Sequence, residues 1–191
     1  MKSASTAFIT CVPGQRANAS IRMFPEAAEA TPEGIGSGKG LAHALNNIIR
    51  HCRENGISRF YAMDDDLVSA IYKGSRRFRL GDIEWPGDCA LGSKIFGCPL
   101  KGRPEFEEGV GDQFNFYDLG LIPGDISFTE DFPVWEVLDF GRRLKERGLK
   151  CYRSNMLEMR FSLDCSNFSR QYCNERNKNC KRAWGELGRM P

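Results

Sequence analysis

Phe60-Tyr61-Ala62-Met63-Asp64-Asp65-Asp66 decides how this chain is read. Ile57 to Met63 is a short apolar run of strand length, and it runs directly into three carboxylates. Alternate side chains of an extended segment face the same way, so Asp64 and Asp66 share a side. In an open α/β sheet, ligands collect beyond the carboxyl ends of the strands. Concentrated negative charge is costly there unless a cation or hydrogen-bond donors offset it. Oxygen-only, histidine-free ligation suits Mg²⁺ or Mn²⁺, ions that usually bridge to a phosphate-bearing substrate. The same triplet also suits a solvated acidic turn capping a following helix.

Upstream, Leu41, Ala44, Leu45, Ile48, Ile49 and Cys52 recur at helical spacing, and Asn55-Gly56 stops that helix. Gly34-Ile35-Gly36-Ser37-Gly38-Lys39-Gly40 opens it. Such a loop brings backbone N–H groups close to phosphates at a helix N-terminus, or else serves as a plain connector. The glycine spacing fits neither the P-loop nor the G-x-G-x-x-G pattern. Ala7 to Val12, before Pro13-Gly14, reads as a buried strand. Residues 25–40 read as loop. Strand, glycine-rich loop, helix, strand predicts an α/β layer with a mainly parallel sheet.

Downstream, Lys73 to Phe106 is rich in Gly, Pro and Arg and carries no periodic element. Arg76 and Arg77 lie in its dense cationic stretch, suited to phosphate contact or to simple solubility. Trp85, in a Gly/Pro-containing loop, is the candidate exposed stacking surface for a sugar or base. Gln113 to Leu119 alternates as a strand. A helix is expected over Phe132 to Arg147, capped by Gly148, with a further strand opening at Lys150 to Arg153. Glu130-Asp131 precedes that helix. Alone, the pair reads as a cap; beside an acidic metal site, it reads as a candidate general base.

The chain has 191 residues, 41% hydrophobic and 27% charged, enough for one globular domain with a real core. No apolar run approaches a membrane-spanning length, and no export signal is visible, so a cytoplasmic protein is expected. Net charge is only +2. From residue 150 onward, however, nine Lys and Arg face four Asp and Glu, a local excess of +5. The eight cysteines lack C-x-x-C spacing and are expected to be reduced, mostly buried thiols. His43 and His51 on the first helix are expected at the surface or an interface.

The order of these pieces resembles a GT-A-type glycosyltransferase. The carrying segments are Gly34 to Asn47, Phe60 to Asp66, and Glu130-Asp131 ahead of a helix ending in Arg147-Gly148. More narrowly, the chain is similar to the TET/JBP-associated glycosyltransferases of phages, which glycosylate modified DNA bases. The resemblance covers roughly residues 7–155. It implies a three-layer nucleotide-diphospho-sugar transferase fold over 1–160, followed by a basic, Cys-containing extension over 161–191. It implies donor contacts from Gly36, Gly38, Lys39, Asn46, Asp64 and Asp65, with UDP-sugar as donor. It also implies Mn²⁺ or Mg²⁺ on Asp64 and Asp66, Asp131 as base, and Glu130 orienting it or the acceptor. Arg76, Arg77 and Trp85 are left to acceptor or phosphate contact, and DNA is the implied partner. The family helix usually carries Ala-Arg-Asn. Here Ala44-Leu45-Asn46 lacks the arginine, and Lys39 or His43 is placed to replace its contact. Other classes stay open: a polysaccharide or protein glycosyltransferase, or a non-catalytic binding module.

Overall fold

The computed structural model describes residues 6–10, 24, 27–30, 41–64, 67–94, 102, 104–111, 114–130 and 136–161. The strands are β1 (Thr6–Thr10), β2 (Ala27–Ala30), β3 (Arg59–Asp64), β4 (Leu67–Tyr72), β5 (Cys89–Lys94), β6 (Phe106–Glu108), β7 (Phe114–Asp118), β8 (Lys150–Ser154) and β9 (Leu157–Phe161). Helices α1 (Leu41–Glu54) and α2 (Glu136–Glu146) complete the described elements, with a 3₁₀ turn at Leu80–Asp82.

Seven strands form one sheet in the order β2-β1-β3-β7-β5-β8-β6, while β4 and β9 pair separately. The class is α/β, as expected, but the sheet is mixed rather than mainly parallel. β1 lies parallel to β2 and β3, and β5 parallel to β8. β7 is inserted antiparallel between β3 and β5, and β6 runs antiparallel on the edge of β8. Strand direction depends on how each connection returns, which alternation along a strand does not encode.

Both faces of the sheet are covered. On one, Leu45, Ile48, Ile49 and Cys52 of α1 and Val137, Phe140 and Leu144 of α2 meet Phe8, Phe60, Leu91, Tyr117 and Cys151. Phe60 stacks on Tyr117 at 4.7 Å, and Phe128 on Phe140 at 4.1 Å. On the other, Leu67, Ala70 and Tyr72 of β4 and Leu157 and Met159 of β9 meet Tyr61, Met63, Phe114 and Phe116. The helix stops hold: Gly56 and Gly148 both adopt positive φ, 68° and 77°, which other residues reach only with strain.

Two stretches expected to lack elements carry them. β2 lies inside the loop expected over 25–40; its Ala-Ala-Glu-Ala has little strand propensity and takes its conformation from pairing with β1. β5 lies inside the unassigned 73–106 stretch. Its Cys-Ala-Leu-Gly-Ser-Lys is buried at every position, so it shows no alternation. Cys52, Cys89 and Cys151 are free and buried. Burial pushes Cys52 up to about 12 and Cys151 up to about 11, and it raises Cys89 as well. The expected C-terminal extension lies outside the described residues from 162 onward.

Candidate functional site

The chain runs from β1 to β2 on one side, then returns through α1 to β3 on the other side of β1. The order of strands therefore reverses at β1, and ligands in open α/β sheets gather at the carboxyl ends beside such a point. Thr10 and Asp64, the last residues of β1 and β3, are neighbours there. Asp64 is half-buried and shares the helix-facing side with Phe60 and Ala62 by alternation.

α1 brings further groups to that edge. Only residues 55–58 join it to β3, with Ile57 N–H bonded to the Cys52 carbonyl, so the helix runs antiparallel to the strand. Fourteen helical residues span roughly 21 Å and six strand residues roughly 20 Å, which sets the first turns of α1 level with Asp64.

The segment after β7 then follows α1 backwards. Arg53, near the helix C-terminus, donates to the carbonyls of Ile122, Pro123 and Gly124. Seven residues earlier, Asn46 accepts from Phe128 N–H at 2.7 Å and donates to the Phe128 carbonyl at 2.9 Å. That pairing fixes which end of the amide is oxygen. Asn46 Nδ2 also donates to Glu130 Oε1 at 3.1 Å, and His43 Nδ1 meets Glu130 Oε2 at 2.9 Å. Both carboxylate oxygens of Glu130 are thus held from α1, and Glu130 arrives at the same edge as Asp64.

The expected residues divide accordingly. Asp64, Glu130 and His43 converge on the carboxyl edge. Asn46 stands there too, but its amide is committed to Phe128 and Glu130; it positions the Glu130 segment, where the sequence suggested a donor contact. Trp85 is corrected as well. It is not an open stacking ring: its indole stacks on Phe116 at 5.5 Å, donates from Nε1 to the Tyr61 hydroxyl at 3.0 Å, and is half-buried. A Cβ at Gly92 would come within 2.6 Å of that ring. Arg76 and Arg77 are exposed in the turn beyond β4, whose six residues separate them from the acidic triplet by roughly 20 Å. Gly36, Gly38, Lys39, Asp65, Asp66 and Asp131 lie outside the described residues.

Sequence reasoning missed the pairing of His43 with Glu130 and a buried polar set at the ends of β5, β7 and β8: Ser93, Lys94, Asn115, Ser154 and Asn155. Asn115 left a signal. In Phe114-Asn115-Phe116-Tyr117 it shares parity with Tyr117, a polar residue on a core-facing side.

No family model, curated protein or solved structure matches this chain. Among the described residues, no helix is long and apolar enough to cross a membrane.

Proposed function

We propose that the protein is a metal-dependent glycosyltransferase of GT-A type. It would move a sugar from a nucleotide-diphosphate donor, UDP-sugar foremost, to a hydroxyl. The observation carrying this reading is the position of Asp64 at the end of β3, beside the strand-order reversal, with Glu130 delivered to the same edge by α1.

Oxygen-only ligation by Asp64 and Asp66 fits Mn²⁺ or Mg²⁺, and the ion would neutralise charge on the leaving diphosphate. Asp65 would meet the donor ribose, and Asp64 would reach the donor through the metal. Asp131 accepts the proton of the acceptor hydroxyl. Glu130, gripped by His43 and Asn46, keeps a fixed direction and orients Asp131 or the acceptor; a positioned carboxylate saves the ordering cost at the moment of reaction.

For the acceptor we propose a hydroxyl-bearing base in DNA. Its support is the resemblance together with the basic C-terminal composition and Arg76 and Arg77. Binding to such DNA should weaken steeply with salt if phosphate contacts drive it, whereas a polysaccharide acceptor would show a flat response.

Asp64→Asn and Asp66→Asn test the donor site. Metal-dependent hydrolysis of UDP-sugar should fall at least about a hundredfold in both, with the fold retained by circular dichroism. Unchanged hydrolysis removes the metal assignment. UDP binding without any turnover in the wild type favours the binding-module alternative.

A further inference from the structure

Leu67 to Gly81 holds Lys73, Arg76, Arg77 and Arg79 and no Asp or Glu. Lys73, Arg76, Arg77 and Arg79 are all exposed. Elsewhere the cations are spoken for. Arg59, Arg142, Arg143, Arg147, Lys150, Arg153 and Arg160 each hold a carboxylate. Arg76, Arg77 and Arg79 hold none among the described residues. The next carboxylates along the chain are engaged: Glu84 takes Lys73 Nζ at 3.2 Å, and Asp82 Oδ2 takes the Arg79 N–H at 2.8 Å.

The backbone that carries these arginines is held at several points. Lys73 and Gly74 both have positive φ, 48° and 79°, and Tyr72 and Ser75 exchange backbone hydrogen bonds of 2.9 Å across them. That is a tight two-residue turn. Lys73 N–H donates to the Met156 carbonyl at 3.0 Å, which ties the turn to the start of β9. Ser75 Oγ accepts from Arg77 N–H at 3.1 Å and donates to the Arg77 carbonyl at 3.0 Å. Phe78 is half-buried against Phe24 and Tyr72, with ring centroids 5.6 and 5.7 Å away. With Phe78 turned in, Arg77 and Arg79 on either side of it face solvent.

Three neighbouring guanidinium groups without carboxylates repel one another in the free protein, and a polyanion relieves that repulsion. The planar guanidinium fork matches phosphate oxygens bidentately. A lipid surface would be met by exposed apolar side chains, whereas the one aromatic residue of this turn is directed into the core. Distance adds a second constraint. β4 begins directly after the acidic triplet, and its six residues set the arginines roughly 20 Å away. A duplex rises about 3.4 Å per base pair, so that span is about six base pairs. Duplex DNA is stiff over such a length, so a base held at the acidic edge fixes which phosphates reach the turn.

We propose that Arg76, Arg77 and Arg79 form a docking surface for the phosphate backbone of duplex DNA, about six base pairs from the nucleotide presented at Asp64. The inference rests on the acceptor reading above and names which surface grips the duplex and how far it reaches.

The test is fluorescence anisotropy of the full chain with a labelled duplex of about 20 base pairs, titrated with salt. The triple variant Arg76→Gln, Arg77→Gln, Arg79→Gln should flatten the slope of log affinity against log salt by about 2–3, close to 0.9 per lost phosphate contact. It should bind about tenfold or more weakly at low salt and melt at the wild-type temperature, since none of the three holds a carboxylate. Duplexes ending about three base pairs from a single 5-hydroxymethylcytosine, on one side, should bind the wild type as weakly as long duplexes bind the variant; arms of about nine base pairs should restore the difference. An unchanged salt slope, or a loss independent of arm length, overturns the surface. So does tighter arginine-dependent binding to double-stranded RNA or to phosphatidylserine vesicles. If the wild type binds no DNA yet hydrolyses UDP-sugar with Mn²⁺, the surface falls and the donor reading stands. If arginine-dependent DNA binding is present without UDP affinity, the surface stands and the transferase reading falls.

Discussion

The two ends of β7 treat a buried polar side chain in opposite ways. At the amino edge of the sheet, Asp118 is buried and fully engaged. Its Oδ2 takes Arg59 Nε–H at 2.7 Å and its Oδ1 takes Gly120 N–H at 3.0 Å. Leu119 N–H closes onto the Ser58 carbonyl at 2.7 Å, so that edge is stitched shut. Three residues away, Asn115 is as deeply buried, and its Oδ1 has no hydrogen-bond partner among the described residues. A carboxylate with every oxygen engaged holds a turn. An amide oxygen without such a partner costs stability. Burial alone does not separate structural from functional polar groups; hydrogen-bond completion does.

The core that both edges share sets the upper limit. Phe140→Ala removes a fully buried ring stacked on Phe128, and should cost about 3–5 kcal/mol in urea unfolding. A cost under about 1 kcal/mol would mean α2 is not seated on the sheet as described.

Asp118→Ala comes next and attacks the comparison itself. Loss of a charge-assisted pair and a turn anchor should cost about 1.5–3 kcal/mol, with sugar-nucleotide binding untouched. Asn115→Leu should leave stability unchanged or raise it, since it strands no polar atom. If both destabilise alike, the contrast between the two ends of β7 disappears.

Asn46→Ala should be milder in stability, about 1 kcal/mol, because its amide spans backbone groups of Phe128. Its larger effect should be on turnover, since Glu130 loses the hold of Asn46 on its Oε1. A kcat that falls with an unchanged UDP dissociation constant supports a positioning role; a UDP constant weakened in step with kcat supports direct donor contact.

The smallest effect is a pH slope. The folded protein keeps Cys52 and Cys151 protonated up to about 12 and about 11, whereas exposed thiols ionise near 9. Only the unfolded chain loses these protons as pH rises above 9, so stability should decline from there. Urea midpoints between pH 7 and 10.5, under reducing conditions, should be flat below 9 and fall above it. A midpoint that does not move over that range contradicts the burial of these thiols.

Much of this arrangement was legible beforehand, and what was not has physical causes. α1 announced itself through apolar spacing and its Asn55-Gly56 stop. β3 and the acidic triplet were readable because an apolar run meets charge abruptly. β5 was hidden because small, uniformly buried residues carry no period, and β2 because alanines take strand form only when paired. The direction of β7 was unreadable because it depends on how a long connection returns. Trp85 misled: Gly and Pro around it implied exposure, yet Gly92 on the neighbouring strand makes room for its ring. Asn46 was found for its chemistry, but its contacts were not, since nothing local says that Phe128, 82 residues later, takes its amide.

The central claim is that ligand and metal meet at the carboxyl edge and not the amino edge. Paramagnetic broadening by Mn²⁺, titrated with UDP into isotope-labelled protein, reads this directly. Amide signals of Ala62, Met63, Phe114 and Asn115 should vanish first, while those of Arg59, Asp118 and Gly120 survive. Selective loss at Arg59 and Asp118, or broadening spread evenly over both edges, would contradict it.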